Sequence, residues 1–251
     1  MRREPVFDVV TALVRGIVRV QGLHVRMEGV DNIPAAGGVV LAVNHTSYVD
    51  FMDVGLIARK AGRYPRYMMK AELRENRVVG FLMKHCRAIG VDRSHGSESF
   101  HEAVDALRAG ELVVVYPEAT ISRSFELKQF KSGAARMALD SGAQIVPLAI
   151  WGAQRIWTKD IPKALGRRGF EIVIVAGPPL EADGDADALT ARIRTAMQEC
   201  LDRAQAGYPA PVGAGWVPRR LGGSAPTLDE ALVLEDKEMA ERRARKAARG
   251  R

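Results

Sequence analysis

Cysteine is scarce in this chain of 251 residues: Cys86 and Cys200 are the only two, and they do not form a Cys-x-x-Cys pair. That argues against a disulfide framework and a cysteine-held zinc, and it fits a reducing, cytosolic setting. Histidine is nearly as sparse. The five, His24, His45, His85, His95 and His101, include no His-x-x-x-His pair enclosing an acid, which argues against a zinc hydrolase. Long hydrophobic runs are missing as well. No stretch makes a convincing span of the ~20 apolar residues that a membrane-crossing helix needs. Asp8 and Arg15 interrupt the first apolar segment, and no small-residue cleavage site follows it, so a signal peptide is not expected. There is no internal repeat and no long low-complexity tract.

What the chain does have is ordinary globular composition, 47% hydrophobic and 27% charged, enough to bury one sizeable core. The net charge of +7 is unevenly spread. Residues 237–251 hold seven Lys or Arg against two Glu, so +5 of it sits in a basic tail and the remainder is almost balanced. A general nucleic-acid-binding face is therefore not indicated, and nucleic acid is not expected as a partner. Two readings of the tail stay open, a solvated segment or a patch for an anionic surface.

Short apolar runs alternate with helix-period segments along residues 23–206. Strands are expected at 24–29, 38–43, 66–70, 88–91, 112–115, 145–150 and 170–175, the first at a sheet edge. Helices are expected at 6–20, 48–60, from about 71, at 98–108, 133–139 and 189–205; residues 80–84 read as a lead into the fourth strand. This alternation predicts a layered α/β domain with a largely parallel central sheet, whose sites collect where strands hand over to loops. Residues 1–22 form an amphipathic helix with a narrow polar stripe of Asp8, Thr11, Arg15 and Arg19. Such a helix either docks on an anionic membrane surface or packs internally. Residues 207–251 comprise a poorly packed Pro/Gly-rich linker and a charged helix opened by the capping box Thr227-x-x-Glu230, with Trp216 as an anchor on a membrane or on the domain.

The chemistry concentrates after the 38–43 run, in Asn44-His45-Thr46-Ser47-Tyr48-Val49-Asp50. Five helical residues turn through about 500 degrees, so His45 and Asp50 would diverge on a single helix. They meet only if His45 lies on the loop and Asp50 in the first turn, with Ser47 as N-cap; the carboxylate then accepts a hydrogen bond from the imidazole and makes it a base. Ser47-x-x-Asp50 also reads as a capping box with no catalytic task. A second stretch, Tyr116-Pro117-Glu118-Ala119-Thr120-Ile121-Ser122, follows the 112–115 run.

Together the two stretches resemble the blocks His-x-x-x-x-Asp and Phe-Pro-Glu-Gly-Thr-Arg-Ser of the glycerophospholipid acyltransferase family, which includes the 1-acyl-sn-glycerol-3-phosphate acyltransferases. Arg87 to Arg93 resembles its Gly-x-Ile-Phe-Ile-x-Arg block and Val146-Pro147-Leu148 its Val-Pro block, so the likeness runs from about residue 24 to 180. It implies a membrane-associated enzyme on the cytoplasmic face, peripheral or monotopic. Its reaction would move a fatty acyl group from acyl-CoA or acyl carrier protein to a lysophospholipid hydroxyl, with lysophosphatidic acid preferred and no cofactor. His45 would be the general base and Asp50 its orienting carboxylate, with backbone N–H groups around the start of the helix as candidate oxyanion donors. The resemblance places Glu118 and Thr120 against the acceptor and Arg93 on its phosphate; Glu118 paired with Arg93 or Lys70 is the structural alternative. Lys70, Arg123, Lys128 and Lys131 add charge around the cleft. Three departures stand out: Arg87 and Ala119 replace glycines, and Ile121 replaces the arginine after Thr120. The last predicts that Arg123, two places further on, takes over the phosphate contact; the alternative has Ile121 lining an acyl pocket and Arg123 facing water. Glycerol phosphate, a lyso-glycolipid or a lyso-aminolipid are the other acceptors the residues allow, and a non-catalytic membrane- or nucleic-acid-binding protein is the reading from another class.

Overall fold

The computed structural model describes residues 3–92 and 96–249. The strands β1 (His24–Glu28), β2 (Val39–Val43), β3 (Pro65–Lys70), β4 (Ile89–Val91), β5 (Leu112–Val115), β6 (Gln144–Trp151) and β7 (Glu171–Ala176) form one sheet. Its order is β1-β7-β6-β2-β5-β3-β4, with β1 at an edge as its sequence predicts. Every neighbouring pair is parallel except β6 and β7. The helices are α1 (Pro5–Gln21), α2 (Asp50–Lys60), α3 (Arg77–His85), α4 (Gly96–Arg108), α5 (Gly133–Ser141), α6 (Ala186–Gln205) and α7 (Leu228–Arg249).

Central β2 is apolar on both faces because both are covered. Val39, Leu41 and Val43 point with Leu112 and Val114 toward Val54 and Ile57 of α2. Val40, Ala42 and Val113 point the other way, toward Val104 of α4, Ala134 of α5 and Ile193 of α6. The pairing of Val39 with Leu112 and of Ala42 with Val115 ends β2 and β5 side by side. The residues that follow, His45 after β2 and Tyr116 after β5, therefore leave the sheet at one end.

Three expectations are corrected. Residues 80–84 lie inside α3, which Asn76 caps by accepting from the Val78 and Val79 N–H groups at 3.0 and 3.1 Å. Residues 207–226 are irregular and mostly exposed, but they are not wholly loose: Val217 and Ala225 are buried, and Trp216 lies against Trp151 and Tyr208 with Arg155 over its ring. The stretch around Trp216 thus packs against the core, and Trp216 anchors on the domain. In α1, Thr11 belongs to the buried face with Phe7 and Val14, not to a solvent stripe. Asp8 is turned to Tyr64 and Arg59. The outer face of α1 carries Val9, Leu13, Ile17 and Val20, all exposed. The capping box of α7 forms as expected, with Thr227 N–H on Glu230 and Glu230 N–H on Thr227 Oγ1. Among the described residues no helix is long and apolar enough to cross a membrane.

The opposite end of the sheet is tied by Arg63, only 3% exposed, whose guanidinium donates to the carbonyls of Pro34, Gly37 and Gly110. Those carbonyls flank β2 and β5, so one side chain holds the starts of both central strands. Replacing it with methionine removes three hydrogen bonds, each contributing about 1 kcal/mol net to stability. Arg63→Met should lose on the order of 3 kcal/mol in urea unfolding, and an unchanged midpoint would show that the tie contributes nothing.

Candidate active site

Asn44 ends β2 and fixes the loop. Its side chain accepts from the Ile150 N–H at 2.7 Å and donates to the Ile150 carbonyl at 3.0 Å, pairing with β6 as a further strand residue would. His45 follows. Its N–H donates to Glu118 Oε1 at 2.9 Å, and its carbonyl accepts from the Ser122 N–H at 2.8 Å. The imidazole stacks on the Tyr116 ring with centroids 4.3 Å apart. Three residues of the second stretch therefore hold the histidine in place.

Asp50 curls back from the first turn of α2. Its Oδ2 lies 2.9 Å from His45 Nδ1 and accepts from the Thr46 and Ser47 N–H groups at 2.9 and 2.8 Å. An oxygen already receiving two N–H bonds acts as an acceptor, so Nδ1 carries the proton and Nε2 is left with its lone pair. Asp50 is fully buried in its side chain, whereas the histidine side chain keeps 23% of its surface exposed. Asp53, one turn along, is also buried. Burial first, and then the charge of Asp50, pushes its carboxyl well above the usual carboxylate range.

Two expectations change here. Ser47 is not the N-cap: α2 begins at Asp50, and Ser47 Oγ donates to the Trp157 carbonyl at 2.7 Å. The N–H groups of residues 45–49 are also all spoken for, by Glu118, Asp50, the Trp157 carbonyl and Ser47 Oγ. The oxyanion expectation therefore narrows to the N–H groups at the very start of α2, Asp50 and Phe51, for which the helix itself has no carbonyl. The loop after β6 closes the far side, where Thr158 Oγ1 donates to the Thr46 carbonyl at 2.6 Å.

Glu118 is buried, and both its oxygens accept backbone N–H groups, from His45 and, at 3.1 Å, from Lys128. It braces the histidine loop, and among the described residues no side chain, Lys70 included, hydrogen-bonds to it. Burial raises its pKa to about 7 against those two hydrogen bonds. Thr120 meets Lys128 and Glu235 of α7. Arg123 does not face water: its side chain is 9% exposed and paired with Asp160 and with Glu238 of α7. Ile121 is buried. Lys70 and Lys131 are exposed, Lys70 at the end of β3 and Lys131 tied through its N–H to the Pro117 carbonyl. Arg93 lies outside the described residues. Both glycine replacements keep the torsion that glycine favours, Arg87 with φ 53° and Ala119 with φ 61°. A cleft of about 710 Å³ bounded by Arg66, Arg87 and Glu111 opens near the starts of β3, β4 and β5, away from His45.

Asn44, Tyr116 as a stacking partner, Trp157 and Thr158 were not singled out by sequence. The only signal for Asn44 was its position ending an apolar strand.

The raised pKa of Glu118 has a definite sign. Between pH 4.5 and about 7 the folded chain keeps a proton that the unfolded chain releases, so this group's contribution to stability is complete below pH 4.5 and is lost through pH 7. Subtracting the urea stability of Glu118→Gln from that of the wild type should leave a difference that falls with pH across this window. A flat difference would mean that Glu118 is ionised throughout.

Comparison with known proteins agrees with this geometry. The family model described as Acyltransferase matches residues 24–151, which include the His45 loop and the Tyr116 to Ser122 loop. The 1-acyl-sn-glycerol-3-phosphate acyltransferase of Bacillus subtilis (strain 168) is 30% identical over 71% of this chain and 85% of its own length. The enzyme of the same name from Pseudomonas aeruginosa is 24% identical over 69% and 66%. The crystal structure of the 1-acyl-sn-glycerophosphate acyltransferase PlsC from Thermotoga maritima has the same fold, with a TM-score of 0.64 at 19% identity, covering 84% of this chain and 86% of that one. The matched segment starts at β1 and ends with β6, so it takes in the strands that place His45 and Glu118; the protein belongs to the Acyltransferase family.

Proposed function

We propose that the protein acylates the free hydroxyl of lysophosphatidic acid, drawing the acyl group from acyl-CoA or acyl carrier protein and releasing phosphatidic acid. The observation that carries the reading is the 2.9 Å contact between His45 Nδ1 and Asp50 Oδ2, which leaves Nε2 as the free base on a partly exposed ring. An alcohol is a poor nucleophile at neutral pH, whereas a thioester has a good leaving group. As the acceptor oxygen attacks the thioester carbonyl carbon, its proton passes to Nε2 and Asp50 stabilises the imidazolium. The tetrahedral intermediate then collapses, the C–S bond breaks, and the thiolate takes the proton back from His45. No enzyme nucleophile takes part, so no acyl-enzyme forms. Arg93, aided by Arg123, is assigned to the acceptor's phosphate, with Lys70 and Lys131 adding positive charge. Ile121, buried where the family's blocks have arginine, favours a second reading in which the acceptor is a lyso-glycolipid or lyso-aminolipid.

The test is incubation of the purified chain with labelled palmitoyl-CoA and a panel of lysophosphatidic acid, monoacylglycerol, lyso-glycolipid and lyso-aminolipid, with products resolved by mass. Phosphatidic acid should dominate. His45→Ala should lower turnover by ~100-fold or more with the fold intact, and Asp50→Asn should lower it through the wrong tautomer. Near-normal thiol release by His45→Ala would sink the mechanism.

Docking on an anionic bilayer at the cytoplasmic face is the second part of the proposal. It is supported by the exposed Val9, Leu13, Ile17 and Val20 of α1 and by Val78 and Phe81 of α3, against which α1 packs. Val9 and Leu13 are the exposed pair to change, because Val10 is half-buried. Val9→Asp with Leu13→Asp should abolish co-flotation with phosphatidylglycerol vesicles while leaving activity on a micellar acceptor. Unchanged flotation would remove α1 from the docking surface.

A further inference from the structure

Thr120, Arg123, Lys128 and Lys159 come together beside the histidine loop, and each is held by a carboxylate of α7. Lys128 Nζ lies 3.0 Å from Glu235, which also takes the Thr120 hydroxyl. Arg123 Nη2 and Lys159 Nζ lie 2.8 and 3.0 Å from one oxygen of Glu238. All three cationic side chains are nine-tenths buried. The arginine is not satisfied by this arrangement: its Nη1 is buried with no hydrogen-bond partner. The cluster adjoins the catalytic loop directly, because the Lys128 N–H holds Glu118 and Thr158, next to Lys159, holds Thr46.

Resting on the acceptor reading above, we infer that these four residues form a binding site for a phosphate monoester, which Glu235 and Glu238 occupy in cis until the acceptor's phosphate displaces them. The charge balances. Two carboxylates carry −2, and a phosphate monoester carries about −1.5 to −2 at neutral pH, with three acceptor oxygens for donors that include the unpaired Nη1. The exchange also replaces the cation missing at Ile121 with a cluster supplied by the same loop and its neighbour. Burial would raise the Glu238 carboxyl, but the hydrogen bonds from Arg123 and Lys159 outweigh it and hold it at about 2. The cap is therefore fully ionised at neutral pH, and an anion rather than a proton is what releases it.

The helix is built to leave. Leu232, Val233, Leu234 and Met239 of α7 are exposed, and among its described side chains Ala231 is the buried apolar one. Its hold on the domain is ionic, and ion pairs exchange for a stronger anion at little cost in apolar burial. Its first turn stays fastened through Thr227, Glu230 and Arg219, so that the segment swings without detaching.

The experiment follows hydrogen exchange of the α7 amides in the full chain, alone and with lysophosphatidic acid, monoacylglycerol of the same acyl length, glycerol phosphate or inorganic phosphate. Lysophosphatidic acid should speed exchange over residues 231–240 by about 10-fold or more, and monoacylglycerol should leave it unchanged. Acceleration by glycerol phosphate or inorganic phosphate as well supports the exchange and places recognition in the phosphate alone. In kinetics, Glu235→Gln with Glu238→Gln should lower KM for lysophosphatidic acid by about 10-fold or more, because both competing carboxylates are gone, without changing KM for monoacylglycerol. Unaltered α7 exchange while phosphatidic acid is being formed overturns the inference, and so does an unchanged KM in a variant that folds. If the wild type makes no phosphatidic acid, the acceptor reading is what fails; the site then stands or falls on whether glycerol phosphate or inorganic phosphate speeds α7 exchange.

Discussion

A base is useful only where its lone pair points, and in this protein the main chain of His45 is gripped on both sides by one loop. Glu118 takes its N–H and Ser122 fills its carbonyl. Burying an acid that takes N–H bonds on both oxygens is costly, and the rise of the Glu118 pKa records that cost. In return the histidine cannot shift without breaking hydrogen bonds that water does not replace. The Tyr116 ring then limits the imidazole to one tilt, and Asp50 to one tautomer.

Such a grip depends on strand register. Because β2 and β5 are paired from Val39–Leu112 to Ala42–Val115, the loops that follow them begin at the same height, and β6 brings the Trp157–Thr158 loop from the other side. The core beneath is apolar on both faces of β2, so a slip of one residue would turn every side chain over but leave an equally greasy strand. Apolar pattern alone does not pin this register. Asn44 does, by bonding both backbone groups of Ile150.

The central strands and the histidine-aspartate pair were legible because each depends on a short stretch: an apolar run of the right length, or a spacing across the start of a helix. β5 matches its expected span, 112–115, and the other strands shift by one residue at one or both ends. What could not be read were contacts joining distant residues. Nothing near Asn44 indicates Ile150, 106 positions away, and nothing near Arg123 indicates Glu238, 115 positions away. Composition reads residues 207–226 as a loose linker, and most of them are exposed, but it gives no sign that Trp216 reaches Trp151. The basic tail drew attention to charge, but the residues of α7 that touch the domain's cations are its acids.

Ala119 and Arg87 stand where the family's blocks carry glycine, yet both keep a left-handed backbone, Ala119 exposed and Arg87 paired with Glu111 at the surface. Glycine at those places therefore encodes a torsion angle rather than a need for space, and a different residue can supply it for roughly 1–2 kcal/mol. Lineages with stability to spare can drift through such positions without touching the chemistry. Pattern searches that insist on the letter G will pass over chains like this one, while a search keyed to the sign of φ would retain them. The replacement at 121 is of another kind, because it exchanges a charge for a methyl-bearing side chain and leaves the backbone no role in compensating. Divergence within one short block thus separates into silent and chemical steps, and only the second kind carries information about the substrate.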